Sequence, residues 1–149
     1  MAATTSGAIK ARLEGLQFGV PVFRDGPRPG QAPPFIVVTE ALGIALDTGN
    51  GDFGDPDAEV GIVETAAVDL IEYARTKENA VKARAMERYG LAETIARALH
   101  GHGLPAHPAK VTAVRATEID RFPISNNRVR ASIKVLIHRT LLAEEVTPA

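Results

Sequence analysis

The stretch RVRASIKVLIHRT, from Arg128 to Thr140, decides the fold that we predict for this chain. Apolar and polar residues alternate along it almost without a break, and a period of two is typical of a strand with one buried and one wet face. The buried face is predicted to carry Val129, Ala131, Ile133, Val135 and Ile137. The wet face is predicted to carry Arg128, Arg130, Ser132, Lys134 and His138.

A partner strand is predicted just before it, from Lys110 to Asp120. The linker 121–127 contains Pro, Ser and Asn, which favour a turn. The alignment that buries the apolar residues together pairs Val111 with Ile137, Ala113 with Val135, Ile119 with Val129, Glu118 with Arg130, and Asp120 with Arg128. The last two are pairs of opposite charge, which stabilise an antiparallel hairpin. Arg115 is then the charged misfit on the apolar face.

A second long hairpin is predicted from Phe35–Leu46 and Glu59–Tyr73, whose sequences are apolar on both faces. The proposed register pairs Ile36 with Val68, Val38 with Ala66, Leu42 with Ile62, and Glu40 with Glu64. Two apolar faces indicate a cover on each side of the sheet. We expect helix on one side, and another subunit is a candidate for the other.

Helical periodicity predicts a short helix from Gly7 to Leu16, capped by Ser6, and a long helix from Lys77 to His100 with Gly90 inside it. Val20–Phe23 is predicted as a brief edge strand because Pro21 restricts it. The expected fold class is α+β: a mainly antiparallel sheet of four to five strands, built from two long hairpins and packed with both helices. We expect a single domain over residues 1–149, with 1–6 and 143–149 loose.

Composition excludes several classes of protein. A net charge of −1 supplies no overall field that would attract nucleic acid or an anionic membrane. The chain has no cysteine, which rules out disulfides, thiolate metal sites and cysteine nucleophiles. We also expect no signal peptide, because the N-terminal residues lack the charged-then-apolar order of one. We expect no membrane span, because no apolar run approaches the ~18 residues required.

The segment 47–58, DTGNGDFGDPDA, is predicted to be a flexible acidic loop. It contains a literal G-x-G-x-x-G at Gly49–Gly54, but a further strand follows where a dinucleotide fingerprint needs a helix. Its acidic residues would repel a pyrophosphate, and their spacing does not match a calcium loop; they are Asp47, Asp52, Asp55 and Asp57. We predict neither a metal nor a cofactor here.

Glu40 and Glu64 face each other in the proposed register, and two close carboxylates could carry out acid–base chemistry. The interpretation that we favour is a structural or inter-subunit salt bridge. Its cation would come from Arg115, Arg12 or Lys10.

The histidines His100, His102 and His107 could chelate a metal, but a solvated loop after the helix is the favoured interpretation. A DNA-binding role for the basic face of Arg128, Arg130, Lys134 and His138 is disfavoured because the register neutralises part of this face and no aromatic residue interleaves with it.

The segment 24–34, RDGPRPGQAPP, has four prolines and two glycines, which exclude a helix or a central strand. It is either a passive connector or an arm that contacts a neighbouring subunit.

The whole layout resembles the tail terminator proteins of long-tailed bacteriophages. The resemblance rests on Val20-Pro-Val-Phe23, on the proline-rich turn that leads into Pro33-Pro34-Phe35-Ile36-Val37-Val38, on a long hairpin with a loose tip, and on Arg128 and Arg130 in the closing strand. It implies a non-enzymatic structural protein of the virion tail. Such a protein forms a homo-hexameric ring, caps the tail tube, ends its growth and joins the tail to the head.

The implied partners are further copies of the chain, the tail tube protein and a head-completion protein, with DNA passing through the ring without specific binding. Assembly would take place in the host cytoplasm. A head–tail connector and a small acid–base or metal-dependent enzyme remain as alternatives. The residues selected for subunit or partner contacts are Arg24, Arg28, Pro33, Pro34, Glu40, Asp47, Asp52, Asp55, Asp57, Glu64, Arg115, Arg128, Arg130 and Lys134.

Overall fold

The computed structural model describes residues 4–46, 61–73, 90–125 and 128–140. They form α1 (Thr5–Gly15), β1 (Val22–Arg24), β2 (Phe35–Leu46), β3 (Gly61–Tyr73), α2 (Leu91–Leu99), β4 (Val111–Ser125) and β5 (Arg128–Thr140). The strands make one five-stranded sheet in the order β1-β2-β3-β5-β4. β1 runs parallel to β2, and every other neighbouring pair is antiparallel. The described chain therefore has an α+β fold with a mostly antiparallel sheet.

The core lies on one face of this sheet, which we call the first face. The alternation in β5 is correctly predicted here, since Ala131, Ile133, Val135 and Ile137 are all fully buried. Both described helices pack on this face, α1 near β1 and β2, and α2 near β4 and β5. The helical residues that complete the core are Ala8, Ile9, Leu13, Ala92, Ile95 and Leu99.

The opposite side of the sheet, which we call the second face, mixes apolar and charged residues. Cross-strand pairing aligns Phe35 of β2 with Ile71 of β3, then with Arg130 of β5 and Phe122 of β4. The next row places Asp69 of β3 between neighbours on β2 and β5. Since Phe35 and Ile71 are buried, the second face combines buried apolar residues with charged residues beside them.

The register that we predicted between β4 and β5 is wrong. Val114, and not Val111, lies opposite Ile137. The charge pairs are also wrong, because Glu118 faces Lys134, Asp120 faces Ser132, Arg130 faces Phe122, and Arg128 faces Ser125.

Three irregularities explain the difference, each adding one residue to β4: they lie between Val111 and Ala113, between Ala116 and Glu118, and between Pro123 and Ser125. An added residue reverses the alternation along a strand. Val114 therefore turns into the core, and Arg115 is exposed rather than lying on the apolar face.

The register between β2 and β3 also differs from the prediction. Ile36 pairs with Leu70, and Val38 with Val68, a shift of two residues that keeps every side chain on its expected face. An irregularity between Thr39 and Gly43 then adds residues to β2, so that Ile44 lies opposite Glu64. Glu40 lies inside this irregular stretch and does not face Glu64, which overturns the predicted carboxylate pair.

The helices also differ from their predicted limits. α1 begins at Thr5 because Thr4, and not Ser6, caps it: the Thr4 Oγ1 accepts a hydrogen bond from the Gly7 amide at 3.1 Å. α2 begins at Leu91, after Gly90 with a φ of 55°. A left-handed residue is not part of an α-helix, so the predicted helix Lys77–His100 does not run unbroken through Gly90. Its part before Gly90 lies outside the described residues.

Several predicted features also lie outside the described residues, namely the acidic loop 47–58 and the C-terminal tail 143–149. The single-domain organisation stays a prediction. Among the helices that the structure describes, none has the length and apolar character needed to cross a lipid bilayer.

Candidate functional site

A buried carboxylate, Glu64 of β3, anchors the N-terminus of α1. The Thr5 hydroxyl of α1 donates a hydrogen bond to its Oε1 at 2.7 Å. The Arg139 Nε of β5 donates to the same oxygen and forms an ion pair with it. All three side chains are buried, so the first face holds a desolvated charge pair that is satisfied from two sides.

His107 extends this network from the segment between α2 and β4. The Ala109 amide donates to His107 Nδ1 at 3.0 Å, so in neutral His107 the ring proton resides on Nε2. The Nε2 lies 2.9 Å from the Thr5 Oγ1, which can accept that proton while donating its own to Glu64. The hydrogen bonds therefore run in one direction, from His107 through Thr5 to Glu64.

The other histidines are arranged differently from this buried one. His100 Nδ1 accepts a hydrogen bond from the Ala116 amide at 3.1 Å, and His102 is exposed. The predicted solvated histidine loop is thus wrong for His107. Within the described ranges of the chain, no three histidine or acidic side chains are grouped closely enough to hold a metal ion.

Glu40 of β2 lies near the same helix end but is half-exposed and has its own partners. The Ser6 hydroxyl donates to Glu40 Oε1 at 2.5 Å, and Arg24 of β1 forms an ion pair with it. The hydrogen bond from Ser6 and the neighbouring Arg24 guanidinium hold the pKa of the Glu40 carboxyl below its ordinary value. A carboxylate that is stabilised in its charged form is a poor general base.

The two glutamates thus hold α1 to two different strands. Glu64 of β3 does so with Thr5 and Arg139. Glu40 of β2 does so with Ser6 and Arg24. The cations that we predicted are not the ones used: Arg12 donates to the Ala98 carbonyl at 2.9 Å, and Lys10 pairs with Glu14. Sequence reasoning missed Arg139, although the alternation in β5 places it on the buried side, two residues after Ile137. The signal that could have revealed it is a charged residue at a strand position where alternation predicts burial.

The segment 24–34 borders a shallow groove of about 490 Å³ between α1 and β1. Arg24 and Arg28 line this groove, and Arg28 is exposed. Pro33 is buried and Pro34 is half-buried, with a cis peptide bond between them. The prolines therefore fasten the end of the segment to the body of the protein, and the arginines are left at its surface.

A smaller cleft of about 250 Å³ opens on the second face, and we call it the Asp69 cleft. The segment 25–27 forms one wall of it, and its other lining residues include Phe35, Val37, Asp69, Ile71, Ile124, Arg128 and Arg130. Phe23 meets Phe35 edge-on, with ring centroids 6.1 Å apart, and so supports the floor from the side of β1.

The Asp69 cleft contains a charge pair that is only half formed. Arg130 Nε lies 3.9 Å from Asp69 Oδ2, beyond hydrogen-bond distance. The Arg130 guanidinium lies over the Phe122 ring, 5.8 Å from its centroid. Among the described residues, neither Asp69 Oδ1 nor Arg130 Nε has a hydrogen-bond partner, although both atoms are buried. Buried polar atoms of this kind are uncommon and call for a partner.

The structure brings together only part of the predicted contact residues. Arg128 and Arg130 share the Asp69 cleft, while Lys134 is exposed further along β5. Asp47, Asp52, Asp55 and Asp57 lie outside the described residues.

Sequence reasoning missed Asp69. A lone aspartate within GIVETAAVDLIEY, on a strand expected to be covered on both faces, is nevertheless a detectable anomaly.

The comparisons with known proteins support the fold. No family model matches the chain, and no curated protein matches its sequence. Among solved structures, the chain is similar to one from "Virion of native gene transfer agent (GTA) particle", with a TM-score of 0.62 and 15% sequence identity. The match covers 93% of this chain and 96% of that chain. The two proteins therefore share a fold over nearly their whole length.

Proposed function

We propose that this chain is a structural protein of a phage-like virion, and that it acts as a tail terminator. In this role it forms a homo-hexameric ring on the last ring of the tail tube, ends tube growth and joins the tail to the head. The observation that supports the proposal is the fold shared, almost end to end, with a chain of a gene transfer agent virion. The layout that resembles tail terminators supports the finer role.

The polar clusters of the first face also support a structural role. Glu64 is engaged by Thr5 and Arg139, and Glu40 by Ser6 and Arg24. Both carboxylates are therefore committed to holding α1 on the sheet. A general base needs a lone pair free to meet a substrate, and these positions favour anchoring instead.

The proposed ring would give roles to other features of the chain. The exposed arginines of the segment 24–34 and the basic residues of β5 would contact neighbouring subunits or the tube. The acidic segment 47–58 would face the conduit, where like charge keeps DNA from adhering as it passes. The protein would assemble in the host cytoplasm and remain in the virion at the junction of tail and head.

Native mass spectrometry combined with electron microscopy tests the ring directly. We expect a six-fold ring that binds the tube protein in a pull-down and leaves tube ends capped. Binding to a portal-adapter protein without binding to the tube would indicate a head–tail connector instead. A protein that stays monomeric and binds neither partner would contradict a virion role.

Substituting the glutamates separates the structural role from the enzymatic alternative. If the proposal is right, Glu40→Gln and Glu64→Gln change stability or assembly and abolish no turnover. Loss of a measurable hydrolytic or isomerase activity, with rings intact, would favour the enzyme.

A further inference from the structure

An exposed patch lies on β4, at one border of the sheet. Asp120 and Phe122 pair with residues of β5 that lie on the second face, so their own side chains lie on that face too. Ile124 follows them and lines the Asp69 cleft on the same face. Asp120 is exposed, and Phe122 and Ile124 are 40% and 41% exposed. We call these three residues the β4 patch, and its two large apolar side chains favour docking against another surface.

The groove between α1 and β1 lies at the opposite border of the sheet, and we call it the β1 groove. Its volume of about 490 Å³ falls in the range of ~300–1,000 Å³ that is typical of binding pockets. Its apolar lining comes from Pro21, Val22 and Phe23, of which Pro21 is exposed and Phe23 is half-buried. An aromatic side chain that entered the groove would therefore find apolar surface to pack on.

Among the charged residues that line the β1 groove, Arg28 is the one left for a partner. Lys10 pairs with Glu14 at 2.9 Å, and Arg24 pairs with Glu40. Arg28 is exposed and forms no ion pair with another described residue. The groove is therefore suited to an apolar group that carries an acidic neighbour.

The β4 patch combines an apolar group with an acidic neighbour. Asp120 faces the uncharged Ser132 and has no ion pair in the described part of the chain. The other charges near it are offset within the chain: Glu118 lies opposite Lys134, Arg121 pairs with Glu93, and the Asp69 cleft holds two arginines and two aspartates. The charge that the patch offers to a partner is therefore negative, and it complements Arg28.

The two surfaces lie at opposite borders because β1 and β4 are the first and last strands in the order β1-β2-β3-β5-β4. The β4 patch lies on the second face, whereas the β1 groove adjoins α1 on the first face. Two different surfaces that complement each other fit a heterologous contact, in which every copy offers one and receives the other. Repetition of such a contact closes a ring when the rotation between copies allows it.

We infer that the β4 patch of one copy of this chain docks in the β1 groove of a second copy. Phe122 enters the groove and packs on Pro21 and Phe23 of the second copy, and Asp120 forms an ion pair with its Arg28. The borders of neighbouring sheets therefore overlap, with the second face of one copy over the first face of the next. This inference rests on the proposed assembly and names the surfaces that make it.

A reversal of charge across the contact tests the ion pair. Arg28→Asp and Asp120→Arg each place two like charges together, and each should raise the subunit dissociation constant about tenfold or more. The double variant Arg28→Asp/Asp120→Arg restores opposite charges and should recover most of the lost affinity. Analytical ultracentrifugation over a concentration series measures each constant.

A matched pair of truncations tests the apolar part of the contact. Phe122→Ala removes the side chain that fills the groove and should weaken assembly about tenfold or more, because buried aromatic anchors dominate interface energies. Leu16→Ala is the control, since Leu16 is 42% exposed but lines a different groove. It should leave assembly unchanged. Both residues are exposed in the monomer, so the melting temperatures of the two monomeric variants should stay close to each other.

The outcomes distinguish this inference from the proposed function. Assembly that Arg28→Asp and Phe122→Ala leave unaffected, a double variant no better than the sum of its single changes, or an equal loss in Leu16→Ala overturns the inference and leaves the ring standing. A wild-type chain that is monomeric at every concentration overturns both.

Discussion

At the scale of single residues, the buried ion pair between Glu64 and Arg139 makes stability sensitive to the loss of either partner. Removing only Arg139, as in Arg139→Met, strands a buried carboxylate and should cost about 3–5 kcal/mol of the free energy of unfolding. The double variant Glu64→Leu/Arg139→Met removes both charges and should be clearly more stable than Arg139→Met. Urea unfolding measures the free energy of unfolding of both variants. Equal losses in the two would show that the unpaired carboxylate of Arg139→Met is not the cause of its instability.

The lowered pKa of Glu40 predicts how stability depends on pH. Its pKa is lowered from the ordinary value of 4.5, first by the hydrogen bond from Ser6 and then by Arg24, so folding favours the charged form. The stabilisation is therefore present above pH 4.5 and is lost as the pH falls through the lowered pKa.

Glu40→Gln removes this dependence, and thermal melting of both proteins from about pH 6 to pH 3 should show a steeper fall for the wild type. Ser6→Ala, which removes the largest cause of the shift, should lie between the two. An equal fall of the melting temperature with pH in the wild type and Glu40→Gln would contradict the stabilising role of the Glu40 carboxylate.

Residue burial could be predicted from the sequence only where it follows a period. The alternation in β5 placed Ile133 and Val135 in the core correctly. The partners of charged residues could not be found this way, because the network of Thr5, Glu64 and His107 joins positions far apart in the chain. Such contacts depend on how the helix docks on the sheet, and no local pattern encodes that.

At the scale of elements, Gly90 controls where α2 begins. Its φ of 55° lies in the region that other residues avoid, and an added Cβ would lie 3.4 Å from the Glu93 Oε2. Gly90→Ala should therefore cost about 1–2 kcal/mol, whereas Gly90→Asn should cost less because asparagine adopts this conformation more readily. Urea unfolding of the two variants measures the difference, and equal stability would contradict the left-handed geometry.

The register of β4 against β5 makes a second prediction at this scale. Glu118 lies opposite Lys134 on the two strands, so a double-mutant cycle that exchanges their charges should show a coupling of about 0.2–1 kcal/mol that weakens with added salt. The pair Glu118 and Arg130, which alternation alone suggested, should show none. Coupling in the second cycle instead of the first would restore the original register.

The elements themselves could be predicted because periodicity is a local property, but their registers could not. Each irregularity in β4 adds a single residue, and nothing in VTAVRATEIDRFPIS marks where that residue falls. The break before α2 was signalled by Gly90, yet a lone glycine also occurs within helices. The parallel pairing of β1 with β2 was likewise hidden, since three residues carry almost no pattern.

At the scale of the whole molecule, one core joins both helices to the sheet. Ile9 and Leu13 of α1 belong to the same buried cluster as Ile95 and Leu99 of α2. We therefore expect the monomer to unfold in one cooperative step, with coincident transitions by far-ultraviolet circular dichroism and tyrosine fluorescence. Separated transitions would show that the two helices belong to units that unfold independently.

The two borders of the sheet are unequal, with three residues in β1 at one side and fifteen in β4 at the other. A border as long as β4 would ordinarily act as a template for strand addition and fibre growth. Its three irregularities and Pro123 interrupt the row of amides and carbonyls that an incoming strand would need. The sequence of β4 thereby disfavours amyloid-like stacking of copies along the longer border of the sheet.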